Sequence, residues 1–123
     1  MPSIKLKDPN ITNKTVKFVN LTPHDLNMKI GSEVLTFPKS GIVARVTVKQ
    51  YQKDTLCGIP VMTNTVGSTE NLPTKKNNTI YLVSGMVRSA LGRDRPDVYA
   101  PDTGDTAIRN EKGHIAYVTR LIG

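Results

Sequence analysis

Residues 79–104, TIYLVSGMVRSALGRDRPDVYAPDTG, constrain the fold more than any other stretch of the chain. Residues 79–83 are β-branched, aromatic or aliphatic, which suits a buried strand. Ser84 is placed to cap a helix, and Met86, Val87, Ala90 and Leu91 fall at helical spacing behind it. Gly92 offers the left-handed residue on which such a helix ends. Residues 97–100 are extended again, and Pro101 stops them. If the two strands are parallel neighbours, the helix is their crossover, near the short limit for such a connection. The Asp102-Thr103-Gly104 loop closes the stretch.

The remaining segments read mainly as strands. Residues 1–13 are polar and carry Pro2 and Pro9, which predicts a flexible N-terminal arm or a short edge strand. Residues 15–19 are the first true strand, ended by the turn formers Asn20 and Pro23. Residues 25–30 set Leu26, Met28 and Ile30 against Asn27 and Lys29, a half-buried pattern. Gly31-Ser32 turns the chain into a return strand at 34–37, and residues 38–41 turn it again. Residues 42–49 alternate Ile42, Ala44, Val46 and Val48 with Arg45, Thr47 and Lys49, the best-patterned strand of the chain. Residues 51–57 are ambiguous. Residues 59–66 form a strand whose Pro60 places it at an edge, and residues 67–78, with Lys75-Lys76, read as a loop or one short irregular element. A final hairpin turns at residues 110–113, with Ile115, Tyr117 and Thr119 sharing a face. The fold class is α+β, mostly β: a single compact domain over residues 14–123, built of antiparallel strands with one short helix and a C-terminal hairpin.

At 123 residues the chain suits one domain. It has no Trp and only 5% aromatic residues, so its core rests on Val, Ile, Leu and Met. The single cysteine, Cys57, forms no internal disulfide and reads as a small buried hydrophobe. Neither a signal peptide nor a membrane span is visible, so a cytoplasmic location with no membrane partner is expected.

The net charge of +7 points to phosphate-rich partners. Ten of the eleven lysines precede residue 80, whereas five of the six arginines (Arg88, Arg93, Arg95, Arg109 and Arg120) lie in the last third. The planar guanidinium fork suits phosphate and carboxylate alike. Arg88, Arg93 and Arg95 therefore either bind an anion or pair with Asp94, Asp97, Asp102 and Asp105. The Asp102–Thr103–Gly104 loop reads as an Asx turn with Gly104 at positive φ, or as a backbone nest for an anion. A lone Asp-Thr-Gly lacks the second loop that an aspartic protease requires. His24, after Pro23, is either a structural turn residue or a general base or stacking group. Ser84 lacks the flanking glycines of a nucleophile elbow. Phosphate-loop, dinucleotide-binding and zinc signatures are absent, and no metal or cofactor is expected.

Five segments carry a resemblance: N-L-T-P-H (20–24), P-K-S-G (38–41) followed by A-R-V (44–46), G-I-P-V (58–61), and R-x-D-V-Y-A-P-D-T-G-x-T-A-I-R-N-E-x-G (95–113). Through them the chain resembles a family of small, functionally unsettled proteins of bacteriophages and bacterial genomes. The resemblance implies a compact accessory domain, in the host cytoplasm if phage-encoded, and assigns no catalytic residue. Small phage proteins of this kind often interfere with host defence, and some capture nucleotide signals.

These readings converge on a non-enzymatic, homo-oligomeric binding protein that sequesters a phosphorylated or nucleotide-like small molecule, as an anti-defence protein would. Its ligand-binding residues would be Arg88, Arg93, Arg95, Asp102, Thr103, Gly104, Arg109 and His24. The alternatives are a nucleic-acid or host-protein binding module using the lysines, and a small hydrolase of a nucleotide signal using His24 or Asp102.

Overall fold

A computed structural model describes residues 3–7 and 15–123; residues 1–2 and 8–13 of the N-terminal arm, and residue 14, lie outside them. In chain order the elements are β1 (Ile4–Lys7), β2 (Thr15–Asn20), β3 (Leu26–Ile30), β4 (Glu33–Phe37), β5 (Arg45–Leu56), β6 (Ile59–Glu70), β7 (Thr79–Leu82), α1 (Gly85–Leu91), β8 (Val98–Pro101), β9 (Ile108–Arg109), β10 (Ile115–Tyr117) and β11 (Leu121–Ile122). The mostly-β α+β class is what the alternation predicts. Within the N-terminal arm, Ile4–Lys7 takes the edge-strand reading, pairing antiparallel with β2.

The centre is a five-stranded sheet in the order β1-β2-β7-β8-β11. Its middle three strands run parallel, β2 beside β7 and β7 beside β8, so the antiparallel expectation is corrected at the core. The reason lies in β7, whose Tyr81 and Leu82 are both buried although they point to opposite faces. A strand covered on both faces is the usual condition for parallel pairing. One face packs Val19, Tyr81 and Val83 against Val87 of α1 and against Leu21, Ala44 and Val98. On the other, Leu82 meets Met28, Phe37 and Val118, with Phe18 and Ile80 beside them. The Phe18 and Phe37 rings lie 5.3 Å apart. Fully burying one side chain of this size contributes about 2–3 kcal/mol, so the sheet is held from both sides.

Helix α1 is the predicted crossover. The Ser84 hydroxyl accepts from the Val87 N–H, and the helix ends on Gly92. The inward face is Val87 with Leu91, whereas Met86 and Ala90 are exposed, which corrects the predicted stripe. Seven residues make only two turns, and one narrow face is all they can bury. Gly92 has φ 62° and ψ −137°, a region essentially closed to side-chain-bearing residues. Gly92→Ala is expected to lower stability by about 1–3 kcal/mol, read from the urea midpoint at unchanged slope.

Gly31-Ser32 joins β3 to β4 as expected. Strands β5 and β6 pair only with each other, forming a twelve-residue ribbon about 40 Å long. The ambiguous residues 51–56 and the start of the predicted loop at 67–70 both belong to it. Ile42 is not in the strand and Val48 is exposed, so the alternation there buries only Ala44 fully and Val46 in part. Cys57 is exposed at the tip, not buried. Cys57 and Gly58, with φ 51° and 81°, form a two-residue turn of the type I′ kind. In the C-terminal hairpin the inward residue is Val118, while Ile115 and Thr119 on the other face are exposed. Val118 bridges Met28 of β3, and that contact decides the orientation. No helix among the described residues is long and apolar enough to cross a membrane.

Candidate functional site

Of the three arginines in residues 88–95, Arg88 and Arg95 are anchored from within. The Arg95 guanidinium donates to both oxygens of Asp97, at 3.0 and 2.9 Å, and to the Pro73 carbonyl at 2.8 Å. It also lies over the Tyr81 ring, 6.0 Å from the centroid. Asp97 is 4% exposed and Arg95 19%. Hydrogen bonding from Arg95 holds the Asp97 carboxyl below the usual carboxylate range, against the upward push of burial. Burial first, then the Asp97 charge, pushes the Tyr81 hydroxyl up; that hydroxyl donates to the Thr74 carbonyl. Arg88 donates to the carbonyls of Gly92 and Arg95, closing the loop behind the helix. Arg93 is exposed.

The second predicted group forms a separate cluster. Asp102 accepts from the Gly104 N–H at 3.0 Å, from the Thr106 hydroxyl at 3.3 Å and from Arg120 at 3.2 Å. The Gly104 N–H, followed by Arg120 and Thr106, holds the Asp102 carboxyl below its ordinary value. The loop is thus an Asx turn whose glycine N–H is used internally, not turned outward as a nest. Gly104 is not at positive φ, a correction to the predicted turn. A Cβ there would instead lie 3.2 Å from the Asp102 carboxylate. Arg109 reaches the carbonyls of Gly113 and Thr103, tying this loop to the last hairpin. No hydrogen bond among the described residues joins this cluster to Arg88 or Arg95.

The N-L-T-P-H segment has a clear structural task. Asn20, 1% exposed, donates to the carbonyls of His24 and Phe37 and accepts from the N–H and hydroxyl of Thr22. It locks the end of β2 to the end of β4. His24 contributes its carbonyl, while the residue itself is exposed. Among the described residues no three His, Cys, Asp or Glu side chains are grouped to hold a metal ion.

A cleft of about 570 Å³ opens at the amino ends of the parallel strands, lined by Lys75, Lys76, Asn77, Asn78, Thr79 and Asp97, with Val16, Ile80 and Pro96 beside them. Asn78 has φ 54°, a left-handed conformation that asparagine tolerates. It turns the lysine-bearing loop into β7, where its carbonyl accepts from the Lys17 N–H. Neither lysine makes an ion pair among the described residues. The one carboxylate in the lining, Asp97, is already neutralised by Arg95. Among the described residues the resulting wall carries two ammonium groups without an ion pair and two side-chain amides. Sequence reasoning overlooked it because residues 67–78 read as a plain loop. The signal available was two adjacent lysines and two asparagines immediately before a buried strand.

Comparison with protein-family models, with curated proteins and with solved structures yields no match.

Proposed function

We propose that this chain is a non-enzymatic binding protein for a phosphorylated, nucleotide-like small molecule, held in the Lys75–Thr79 cleft. The observation that carries the reading is a pair of lysines with no ion pair among the described residues, in a cleft where the one carboxylate among those residues is neutralised by Arg95. A volume of about 570 Å³ lies in the range of small-molecule sites. Phosphate oxygens would accept from the ammonium groups, and the amides of Asn77 and Asn78 suit hydroxyl or base edges. The Arg95–Asp97 pair then positions the cleft wall rather than touching the ligand. This moves the predicted binding role from the arginines to the lysines next to them. The phage-type resemblance supports sequestration of a signal molecule as the use of such binding.

The test is calorimetry against inorganic phosphate and a panel of nucleoside mono-, di- and triphosphates and cyclic nucleotides. Charge-assisted hydrogen bonds of this kind are worth about 1.5–3 kcal/mol each. Lys75→Ala and Lys76→Ala are therefore each expected to weaken binding at least about tenfold, with Lys49→Ala on β5 as the unchanged control. A panel without a binder, or a binder indifferent to both cleft substitutions, overturns the reading.

A further inference from the structure

The β5–β6 ribbon is the part of the molecule with the least internal support. A lone two-stranded hairpin is marginal in water, yet this one runs twelve residues per strand. Among the described residues only its root is packed, through Val46 against the core and through Asn71, which donates to the Val43 carbonyl at 3.2 Å. Beyond the root, Val48, Tyr51, Leu56, Ile59, Met62 and Val66 are all 40% exposed or more. Val48, Met62 and Val66 share one face and Tyr51, Leu56 and Ile59 the other, so each face of the ribbon carries an uncovered apolar group.

The two edges of the ribbon differ in charge. Strand β5 carries Arg45, Lys49, Lys53 and Asp54, the usual guard against edge-to-edge pairing. On β6, residues 59–69 contain no charged side chain at all. In a chain of net charge +7 this is the edge along which a second copy can approach without like charges meeting.

The same segment is complementary to itself when reversed. The register within the ribbon places Met62, Asn64 and Val66 on one face, opposite Gln52, Gln50 and Val48 of β5. Thr63 and Thr65 occupy the other face, opposite Tyr51 and Lys49. An antiparallel β6–β6 pairing with its two-fold axis at Asn64 sets Met62 against Val66 of the second copy, Thr63 against Thr65, and the two Asn64 amides against each other. Each of these is a favourable cross-strand pair. Val48, Val66 and the other copy's Met62 would then line up side by side across three strands, once on each side of the central Gln50–Asn64 row. The register also carries the Leu56–Ile59 tip to the root of the other ribbon, where Val43, Val46 and Met86 line a cavity of about 310 Å³.

We infer that β6 is a self-association strand, and that two copies of this chain join edge to edge into a four-stranded β5-β6-β6-β5 ribbon. The inference does not depend on the ligand reading above, since the cleft and the β6 edge share no residue.

Sedimentation velocity over a concentration series tests it on the full chain. A dimer is expected for the natural sequence, and Asn64→Lys, which sets two lysines face to face at the axis, should weaken it by at least about a hundredfold. Circular dichroism separates a lost dimer from a lost fold, and core packing predicts an unchanged spectrum. In a Cys57→Ser background, Asn64→Cys should form an intermolecular disulfide under mild oxidation, because opposed antiparallel residues lie within bridging distance. A monomer at every concentration overturns the inference. So does a dimer indifferent to Asn64→Lys, or a dimer that fails to cross-link through position 64.

Discussion

Replacing Asn20 with leucine is expected to lower the unfolding free energy by about 4 kcal/mol, since it leaves buried carbonyl and amide groups without partners. The side chain is 1% exposed and makes four hydrogen bonds, two given to the carbonyls of His24 and Phe37 and two received from Thr22. Leucine has the same branched skeleton as asparagine but returns none of these bonds, and the site is closed to bulk solvent at 1% exposure. Asn20→Asp should be comparably costly, because a carboxylate oxygen would face two carbonyl oxygens. Thr22→Val removes only the hydroxyl's bonds and should cost about 1 kcal/mol. Urea titrations of the three variants measure this. A leucine variant no less stable than Thr22→Val would show that the β2–β4 junction is not held by Asn20. Domains of this kind are stable by about 5–15 kcal/mol in total, so the larger loss brings the protein close to its threshold.

The contrast between Asn20 and α1 explains how much of the fold was legible in the sequence. Ser84, Gly92, the Gly31-Ser32 turn and the strand character of residues 79–82 are local statements, and local chemistry suffices to read them. Asn20 looked like a turn former because asparagine beside Thr-Pro usually is one. That it bonds to Phe37, seventeen positions away, depends on a strand pairing that local pattern does not encode. The parallel order at the centre has the same origin, since Lys17 pairs with Thr79 across half of the chain. The β5–β6 ribbon was read only in part because burial is what makes alternation informative, and this ribbon is largely unburied. At the candidate site, the arginine concentration is plain from the sequence. Whether those arginines faced outward or inward was decided by Pro73 and Tyr81, which reach Arg95 from other parts of the chain. The lysines of the cleft matter because Asp97 beside them is neutralised by Arg95, a pairing that two adjacent lysines in a loop do not reveal.

That neutralisation gives the second large effect. Arg95→Ala is expected to destabilise the protein by about 3 kcal/mol near neutral pH, because it leaves a carboxylate buried with its principal partner removed. Lys75 remains close enough to offset part of the cost, since its charge already favours the ionised form of Asp97. The pH dependence separates this mechanism from simple loss of packing. In the natural protein the folded-state pKa of Asp97 is depressed. Its contribution is therefore full above the unfolded value, about 3.9, and is lost as pH falls through the lower folded value. In Arg95→Ala the hydrogen bonding that depressed the pKa is gone and burial dominates, so the group gains stability on protonation. The deficit of Arg95→Ala should accordingly shrink as the solution is acidified. Asp97→Asn, which leaves an amide beside the guanidinium, should show a flatter acid limb than the natural protein. Denaturant titrations from pH 7 down to the acid limb measure all three curves. A deficit in Arg95→Ala that stays constant on acidification would assign the loss to the Pro73 hydrogen bond and the Tyr81 contact, and would remove the argument that Asp97 is silenced by Arg95.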